Sequence, residues 1–263
     1  MQITPTENLR VDRDGGLLRL TITRPARMNA IDLASMIEIG DVLTEAATDS
    51  SVRVVVLTGE GKAFCTGADV SSPVHDAGGR KGSEIVMDAA NRMIRSVVTV
   101  PVPVITRING PVAGVGLSLA LAADLIYAAE STYLLMPFIN IGLMPDGGAT
   151  ALVAAAVGRV RAAALALLGE RLPVAEAAAA GLITKALPDD QLDAHVDAVA
   201  GKLARGPRRA LELTKASLNA ATLTELDAAL ERETVGQIEL MTTSDFIEGA
   251  TAMLTRRQPN FGS

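Results

Sequence analysis

The chain has 263 residues, of which 49% are apolar and 2% aromatic, with no tryptophan and a formal net charge of −6. This length suits one large domain with a core of Ala, Val, Leu and Ile, and the negative charge argues against a nucleic-acid partner. A single cysteine, Cys65, excludes an internal disulfide, and the isolated His75 and His195 lack ligand spacing, so no metal is expected.

Membrane insertion and secretion are not indicated. The sequence has no charged-then-apolar leader, and Gly, Pro, Asp or Arg interrupts each apolar run before roughly 18 residues. We therefore expect no membrane partner and a cytoplasmic location.

The first elements are a hairpin, a helix and a buried strand. LRVDRDGGLLRLTIT (9–23) alternates around a glycine turn, the helix runs over 32–48 with Asp32 as its cap, and VRVVVLTG (52–59) is continuously apolar. Residues 71–82 are rich in Gly and polar residues and predict a loop, in which His75 is expected to be solvated.

The middle of the chain alternates helices and strands in short steps, which predicts an α/β fold. The expected order is a helix at 83–98, a strand at 100–110, a helix at 114–123 and a strand at 124–128.

From Arg161 the pattern is helical, and a composition shift near residue 200 divides the chain into a core (1–200) and a helical C-terminal region (201–263). Several faces of this region are apolar enough to predict packing against another subunit. We expect His195 on a surface or packing face, and most of the three glutamates Glu225, Glu231 and Glu233 in solvent.

Three glycine turns are candidate sites, because ligands of α/β proteins bind where strands stop and helices begin. They are Gly67-Ala68-Asp69, Gly114-Val115-Gly116 and Pro145-Asp146-Gly147-Gly148. Taken alone, the third predicts a turn or helix-start carboxylate at Asp146 and not a catalyst. Nucleotide-binding and serine-nucleophile motifs are missing, and Cys65 is expected to be a small core residue.

Several ordered motifs resemble the enoyl-CoA hydratase/isomerase, or crotonase, family. They are RPARMNA (24–30), KAFCTGADV (62–70), INGPVAGVGLSLALAADLIYA (108–128), IGLMPDGGAT (141–150), GLI (181–183) and RRQPNF (256–261), and together they cover nearly the whole chain. The resemblance implies a spiral of ββα units with two roughly perpendicular sheets and a C-terminal helical trimerisation region. It also implies a homotrimer or hexamer that acts on an acyl-CoA thioester without a separate cofactor.

By the same resemblance, the backbone N–H groups of Ala68 and Val115, beside Gly114, bind the thioester oxygen and stabilise a developing enolate. The coenzyme would lie along two segments, whose implied residues are Arg27, Met28 and Ala30 in the first and Lys62, Ala63, Asp69, Val70 and Ser71 in the second. Solvated surface charges remain an equal alternative for Arg27 and Lys62, and a turn or helix-start carboxylate remains the alternative for Asp69.

The chain departs from the family pattern at the two glutamates that hydratases use. Ser118 and Phe138 occupy those positions, and neither can act as a general base. Some relatives that shift double bonds carry their acid at the position of Asp146, so the resemblance implies an isomerase that moves the double bond of a 3-enoyl-CoA, with Asp146 as proton shuttle. An enoyl-CoA hydratase and a non-catalytic acyl-CoA-binding scaffold remain alternatives.

Two effects oppose each other at Asp146. The start of a helix would lower the pKa of its carboxyl group, whereas nearby apolar residues would raise that pKa by desolvation.

Overall fold

The computed structural model describes residues 7–69 and 79–262. It begins with the predicted hairpin, in which β1 (Leu9–Asp14) and β2 (Leu17–Ile22) pair antiparallel around Gly15, a residue with φ of 54°. The positive φ explains the glycine, because residues with a Cβ rarely adopt that conformation.

A six-stranded sheet forms the centre of the fold, in the order β1-β2-β3-β4-β6-β9. Its other strands are β3 (Val54–Gly59), β4 (Val104–Ile108), β6 (Leu125–Ala129) and β9 (Lys185–Leu187). From β2 onward every neighbouring pair is parallel. All six residues of β3 are buried, as the continuous apolar run predicted for a strand covered on both faces.

A second sheet has three short strands, β5 (Val112–Ala113), β7 (Tyr133–Leu135) and β8 (Arg171–Pro173). None of β5, β7, β8 and β9 is predicted from the sequence, because runs of two or three residues are too short to show a period.

The first three α-helices cover one side of the large sheet, and the third also contacts the smaller sheet. They are α1 (Leu33–Thr48), α2 (Gly79–Thr99) and α3 (Val115–Leu121). The Asp32 side chain accepts from the Ser35 N–H at 2.9 Å and caps α1 as predicted. The predicted loop at 71–82 is wrong from residue 79, where α2 begins; His75 lies outside the described residues.

The core lies on both faces of the sheet. Alternate residues of β3 separate into two clusters, with Val55 and Leu57 facing the larger cluster beneath α1 and α2, and Val54 and Val56 facing a smaller one. The smaller cluster is completed by α6 (Leu192–Ala204).

One helix, α4 (Ala149–Leu168), is long and apolar enough to cross a membrane by length and composition alone. This is weak evidence for a membrane span, because Gly158 interrupts the helix with φ of 76° and ψ of 164°, and Arg159 and Arg161 follow at once. The first half of α4 packs into the core through Leu152 and Val153.

The C-terminal region is helical as predicted. Its helices, with the short one that precedes α6, are α5 (Val174–Ala179), α7 (Arg208–Thr222), α8 (Leu226–Leu240) and α9 (Ser244–Thr255). The one buried residue of α7 is Lys215, whose Nζ lies 2.8 Å from Asp124 Oδ2 and donates to the Val97 and Val102 carbonyl groups.

Candidate active site

The first two glycine turns lie side by side. The Ala113 N–H donates to the Cys65 carbonyl at 2.9 Å, and a Cβ placed on Gly67 would lie 3.7 Å from the Gly114 Cα. A Cβ on Gly116 would meet the Cys65 carbonyl oxygen at 2.6 Å. Glycine at 116 therefore allows the two chain segments to approach this closely.

Each turn presents a backbone N–H that is not used to hold the fold. Ala68 forms a parallel bridge with Ile31 in which its neighbours make the bonds: Ile31 N donates to Gly67 O and Asp69 N donates to Ile31 O. Val115 is the first residue of α3, where N–H groups have no partner within the helix. Within 7–69 and 79–262, no acceptor for either N–H is found.

Asp146 lies next to these turns and is also a turn residue. Its carbonyl accepts from the Ala149 N–H at 3.2 Å, and the two glycines between them have φ of 64° and 76°. The same carbonyl accepts from the Ser118 hydroxyl at 2.7 Å. A Cβ on Gly147 would lie 3.3 Å from Val115 Cγ2, so this turn packs directly on the first residue of α3.

The Asp146 carboxyl group is buried, and only one of its two oxygens has a hydrogen-bond partner among the described residues. Gln237 Nε2 donates to Oδ2 at 2.8 Å, whereas Oδ1 is buried and has no hydrogen-bond partner among the described residues. Burial raises the pKa of Asp146 to about 7, the Gln237 hydrogen bond opposes the rise, and the charge of Glu233 adds to it. Asp146 as a whole residue is partly exposed to solvent, but its Oδ1 atom is buried, so the carboxyl group itself is desolvated.

Glu233 corrects the expectation that the glutamates of this region are mostly solvated. Glu225 and Glu231 are exposed, but Glu233 is 1% exposed and accepts from the N–H groups of Gly148 and Thr150 at 2.6 and 2.9 Å. It therefore binds the free N–H groups at the start of α4, a role that the sequence analysis considered for Asp146. Burial raises the pKa of Glu233, and its hydrogen bonds lower it in part.

Ser118 and Phe138 form part of the same site. Ser118 is fully buried in α3, and because its hydroxyl donates to the Asp146 backbone, it holds the Asp146 turn against α3. Phe138 is 6% exposed, and its ring lies 3.9 Å from the position of a Cβ on Gly114, which makes that wall apolar.

The residues predicted to line the coenzyme divide into exposed and structural ones. Arg27, Met28 and Lys62 are exposed and Ala30 is partly exposed, whereas Ala63 is buried with a carbonyl that accepts from two asparagine side chains. Val70 and Ser71 lie outside the described residues.

Arg24, Asn29 and Asp69 hold this region together. Arg24 Nη2 lies 2.9 Å from Asp69 Oδ2, so Asp69 is an ion-pair partner and not a free carboxylate. Asn29 is fully buried with φ of 56°, accepts from the Arg24 N–H, and donates to the carbonyl groups of Glu60 and Ala63.

Cys65 and His195 have structural positions, as expected. Cys65 is fully buried, and burial raises the pKa of its thiol to about 12, so no thiolate is available. His195 packs edge-on against Tyr127 with ring centroids 4.8 Å apart. In the described ranges no group of three His, Cys, Asp or Glu residues could hold a metal ion.

A groove of about 1020 Å³ adjoins the site without containing the two glycine turns. Its lining comes from five parts of the chain: 137–145, the end of α4, the last residue of α8 (Leu240), α9, and residues 257–261. Met144 and Pro145 connect it to Asp146. The free N–H groups and the desolvated carboxyl group lie together beside this groove, whose own walls are mainly apolar.

Comparison with known proteins agrees with this geometry. Residues 12–263 match the family model described as enoyl-CoA hydratase/isomerase. The chain belongs to the enoyl-CoA hydratase/isomerase family. It is therefore an enzyme of the crotonase superfamily, whose members act on acyl-CoA thioesters, and the fold predicted from the sequence motifs is confirmed.

Its relatives include both hydratases and isomerases. A probable enoyl-CoA hydratase of Rhodobacter capsulatus is 38% identical over 96% of this chain and 97% of its own. The 1,2-epoxyphenylacetyl-CoA isomerase of Escherichia coli is 34% identical over 94% and 95%. The crystal structure of an enoyl-CoA hydratase from Mycobacterium avium subsp. paratuberculosis has a TM-score of 0.89 and 46% identity, and the match covers 95% of this chain and 100% of that one.

The sequence analysis missed Gln237 and the role of Glu233. The two residues are four apart in a helix and so share a face, which is a signal that sequence spacing gives. Spacing does not reveal what that face contacts, because α8 and Asp146 are 91 residues apart in the chain.

Proposed function

We propose that this enzyme is an enoyl-CoA isomerase that converts a 3-enoyl-CoA to the conjugated 2-enoyl-CoA, with Asp146 as the proton shuttle. The observation that carries the proposal is the desolvated Asp146 carboxyl group, one oxygen of which has no partner among the described residues, next to two turns with free N–H groups. The reaction requires one acid-base group and one site for an oxyanion, and Asp146 and the two free N–H groups would supply them.

In the proposed reaction the Asp146 carboxylate removes a proton from C2 of the substrate. The electrons move into the thioester, and the N–H groups of Ala68 and Val115 stabilise the dienolate oxygen; such donors are typically worth about 3 kcal/mol of barrier each. The protonated Asp146 then returns the proton at C4. A pKa of about 7 suits both steps, because the group is partly ionised near neutral pH and can act as base and acid.

We propose that the substrate is a coenzyme A thioester and that the reaction needs no additional cofactor. We propose that the coenzyme passes the exposed side of 24–30 and Lys62, with Arg27 and Lys62 near its phosphates. Phe138 and Gly114 would border the thioester end of the acyl group, and the apolar Phe138 wall excludes a second acid there.

Water addition to a 2-enoyl-CoA is the second candidate, and the names of several relatives favour it. Hydratases of the family divide the activation of water and the protonation of carbon between two carboxylates. In this chain Ser118 holds the backbone of the Asp146 turn and Phe138 is buried and apolar, so Asp146 would have to serve both tasks.

The test is to offer a 3-enoyl-CoA and, separately, a trans-2-enoyl-CoA, and to follow the absorbance of the conjugated thioester. We expect wild type to form the conjugated product from the first substrate, and Asp146→Asn to lose at least about a hundredfold in kcat. Asp190→Asn, at an exposed position far along the chain, is the matched control and should keep full activity. Hydration of the second substrate with no turnover of the first would favour the hydratase, and acyl-CoA binding without turnover would favour a scaffold.

A further inference from the structure

The two oxygens of the Asp146 carboxyl group have different surroundings. Oδ2 accepts from Gln237 Nε2 at 2.8 Å, and Oδ1 has no partner in the described part of the chain. Gln237 is itself fully buried, and its own Oε1 also lacks a partner among those residues. A buried amide that leaves one of its polar atoms unsatisfied calls for an explanation, because such atoms are rare in folded proteins.

The position of Gln237 is determined by how α8 docks on the start of α4. Glu233 binds the N–H groups of Gly148 and Thr150, and this contact fixes the register of α8. Gln237 lies one turn further along the same face, and it therefore reaches Asp146. Gly236 allows the close approach, since a Cβ there would overlap with Met144 Sδ.

We propose that Gln237 is a positioning residue for Asp146. Gln237 holds Oδ2 of the Asp146 carboxyl group and leaves Oδ1 as the oxygen that exchanges a proton with the substrate. The inference rests on the proposed function of Asp146 and names a residue that acts through it. Gln237 does not itself touch the reacting atoms.

An amide suits this task because it can bond to both forms of the carboxyl group. Its Nε2 donates to Oδ2 when Asp146 is ionised, and also when the proton is on Oδ1. A half-turn of the amide would bring Oε1 to the place of Nε2, where it can accept from a proton on Oδ2. A glutamate at 237 would instead add a second charge, and an apolar side chain would give neither bond.

The electrostatic surroundings of Asp146 contain few other charges. Glu233, from the same helix as Gln237, raises the pKa of Asp146, and Arg232 acts on Glu233 from a largely exposed position. The contacts made by the Asp146 turn with α3 and α4 involve Ser118, Val115 and Ala149, which carry no charge. Gln237 is thus the group whose removal should change the titration of Asp146 without changing net charge.

The experiment measures that titration directly, with ¹³C-labelled aspartate side chains followed by NMR and the Asp146 signal assigned by its loss in Asp146→Asn. We expect Gln237→Met to raise the pKa of Asp146 by about one unit, because the ionised form loses a hydrogen bond. Gln237→Asn, whose shorter side chain loses the reach, should give the same direction and serves if the methionine variant does not fold. With a 3-enoyl-CoA as substrate, the acidic limb of the pH profile of kcat/KM should move to higher pH by the same amount as the pKa of Asp146. The fall in kcat should be larger than the change in KM.

Asn91→Leu is the matched control. Asn91 is a buried amide that donates to Thr234 on α8 at 2.7 Å and also has an unpartnered oxygen, but it makes no hydrogen bond to Asp146. The Asn91→Leu variant should be less stable than wild type, but the pKa of Asp146 and the acidic limb of the kcat/KM profile should be unchanged. An unchanged titration in both Gln237 variants, or an equal shift in Asn91→Leu, would overturn the proposal.

The titration needs no substrate, so the two proposals fail separately. If wild type turns over no 3-enoyl-CoA, the isomerase function is refuted, while the NMR shift still decides whether Gln237 controls Asp146.

Discussion

At Asp146, burial outweighs the attraction of the helix start. The N–H groups at the beginning of α4 are bound by Glu233, so they do not stabilise the Asp146 carboxylate, and desolvation is left as the largest effect on its pKa. Asp146, which its local sequence predicts as a turn residue, is therefore a turn residue and also an acid with a raised pKa. Perturbed carboxyl groups of this kind are typical of active sites.

This perturbation predicts that Asp146 destabilises the folded enzyme at alkaline pH. Its pKa rises from an ordinary 3.8 to about 7 on folding. Between these values the unfolded chain has lost the proton and the native chain keeps it, so stability falls as pH rises through this range. The difference of about three pH units corresponds to at most about 4 kcal/mol.

Asp146→Asn should therefore be more stable than wild type at pH 8, and the difference should shrink toward pH 5. Urea unfolding at equal protein concentration measures this difference at both pH values. Asp190→Asn should show no such pH-dependent gain. A variant that is less stable than wild type at pH 8 would show that the carboxylate is well solvated.

At the scale of elements, close backbone approach fixes the C-terminal helices onto the site. A Cβ on Gly249, in α9, would lie 2.5 Å from the Ile141 Cα and 2.8 Å from the Ile141 carbonyl oxygen. Backbone atoms cannot move aside as a flexible side chain can, so α9 packs here only because residue 249 is glycine.

Gly249→Ala should lower the free energy of unfolding by about 1–3 kcal/mol through overpacking. Gly40→Ala is the matched control, because a Cβ on this glycine of α1 would meet its nearest atom at 3.7 Å, an ordinary contact. Its higher helix propensity should leave stability unchanged or raise it by up to about 1 kcal/mol. Urea denaturation compares the two, and equal effects would contradict the packing argument.

The elements that the sequence predicted well are those with a long local signal. The hairpin, α1 with its Asp32 cap, and β3 follow from alternation, a cap residue and a continuous apolar run. The start of α2 was misplaced because Gly79 and Gly82 resemble a loop, although α2 contains them. The partners of Asp146 could not be predicted, since Gln237 and Ser118 reach it only through the packing of distant helices.

At the scale of the whole molecule, the described surface carries large apolar side chains in the second half of α4. Val160 and Leu167 are 80% and 70% exposed and lie seven residues apart, hence on one helix face. Such a face on a single chain is typical of an interface with another copy. We propose that this face of α4 contributes to the interface of the predicted trimer or hexamer, in addition to the C-terminal region expected from the sequence.

We expect the wild-type enzyme to have the mass of a trimer or hexamer in light scattering after size exclusion. The double substitution Val160→Glu and Leu167→Glu should shift it to smaller species, because buried unpaired charges oppose association. Gln191→Glu, on an exposed polar segment, should leave the mass unchanged. A monomeric wild type, or a double variant of unaltered mass, would contradict this prediction.

The hydrogen bond between Gln237 and Asp146 joins residues that are made at different times. The two glycine turns and Asp146 precede Gln237, which lies 91 residues after Asp146, so they leave the ribosome first. A nascent chain can thus fold its sheets and bind α3 to the Asp146 turn while the acid still lacks its partner. We therefore expect the proposed positioning of Asp146 by Gln237 to be established only when α8 docks, after the rest of the site has been made.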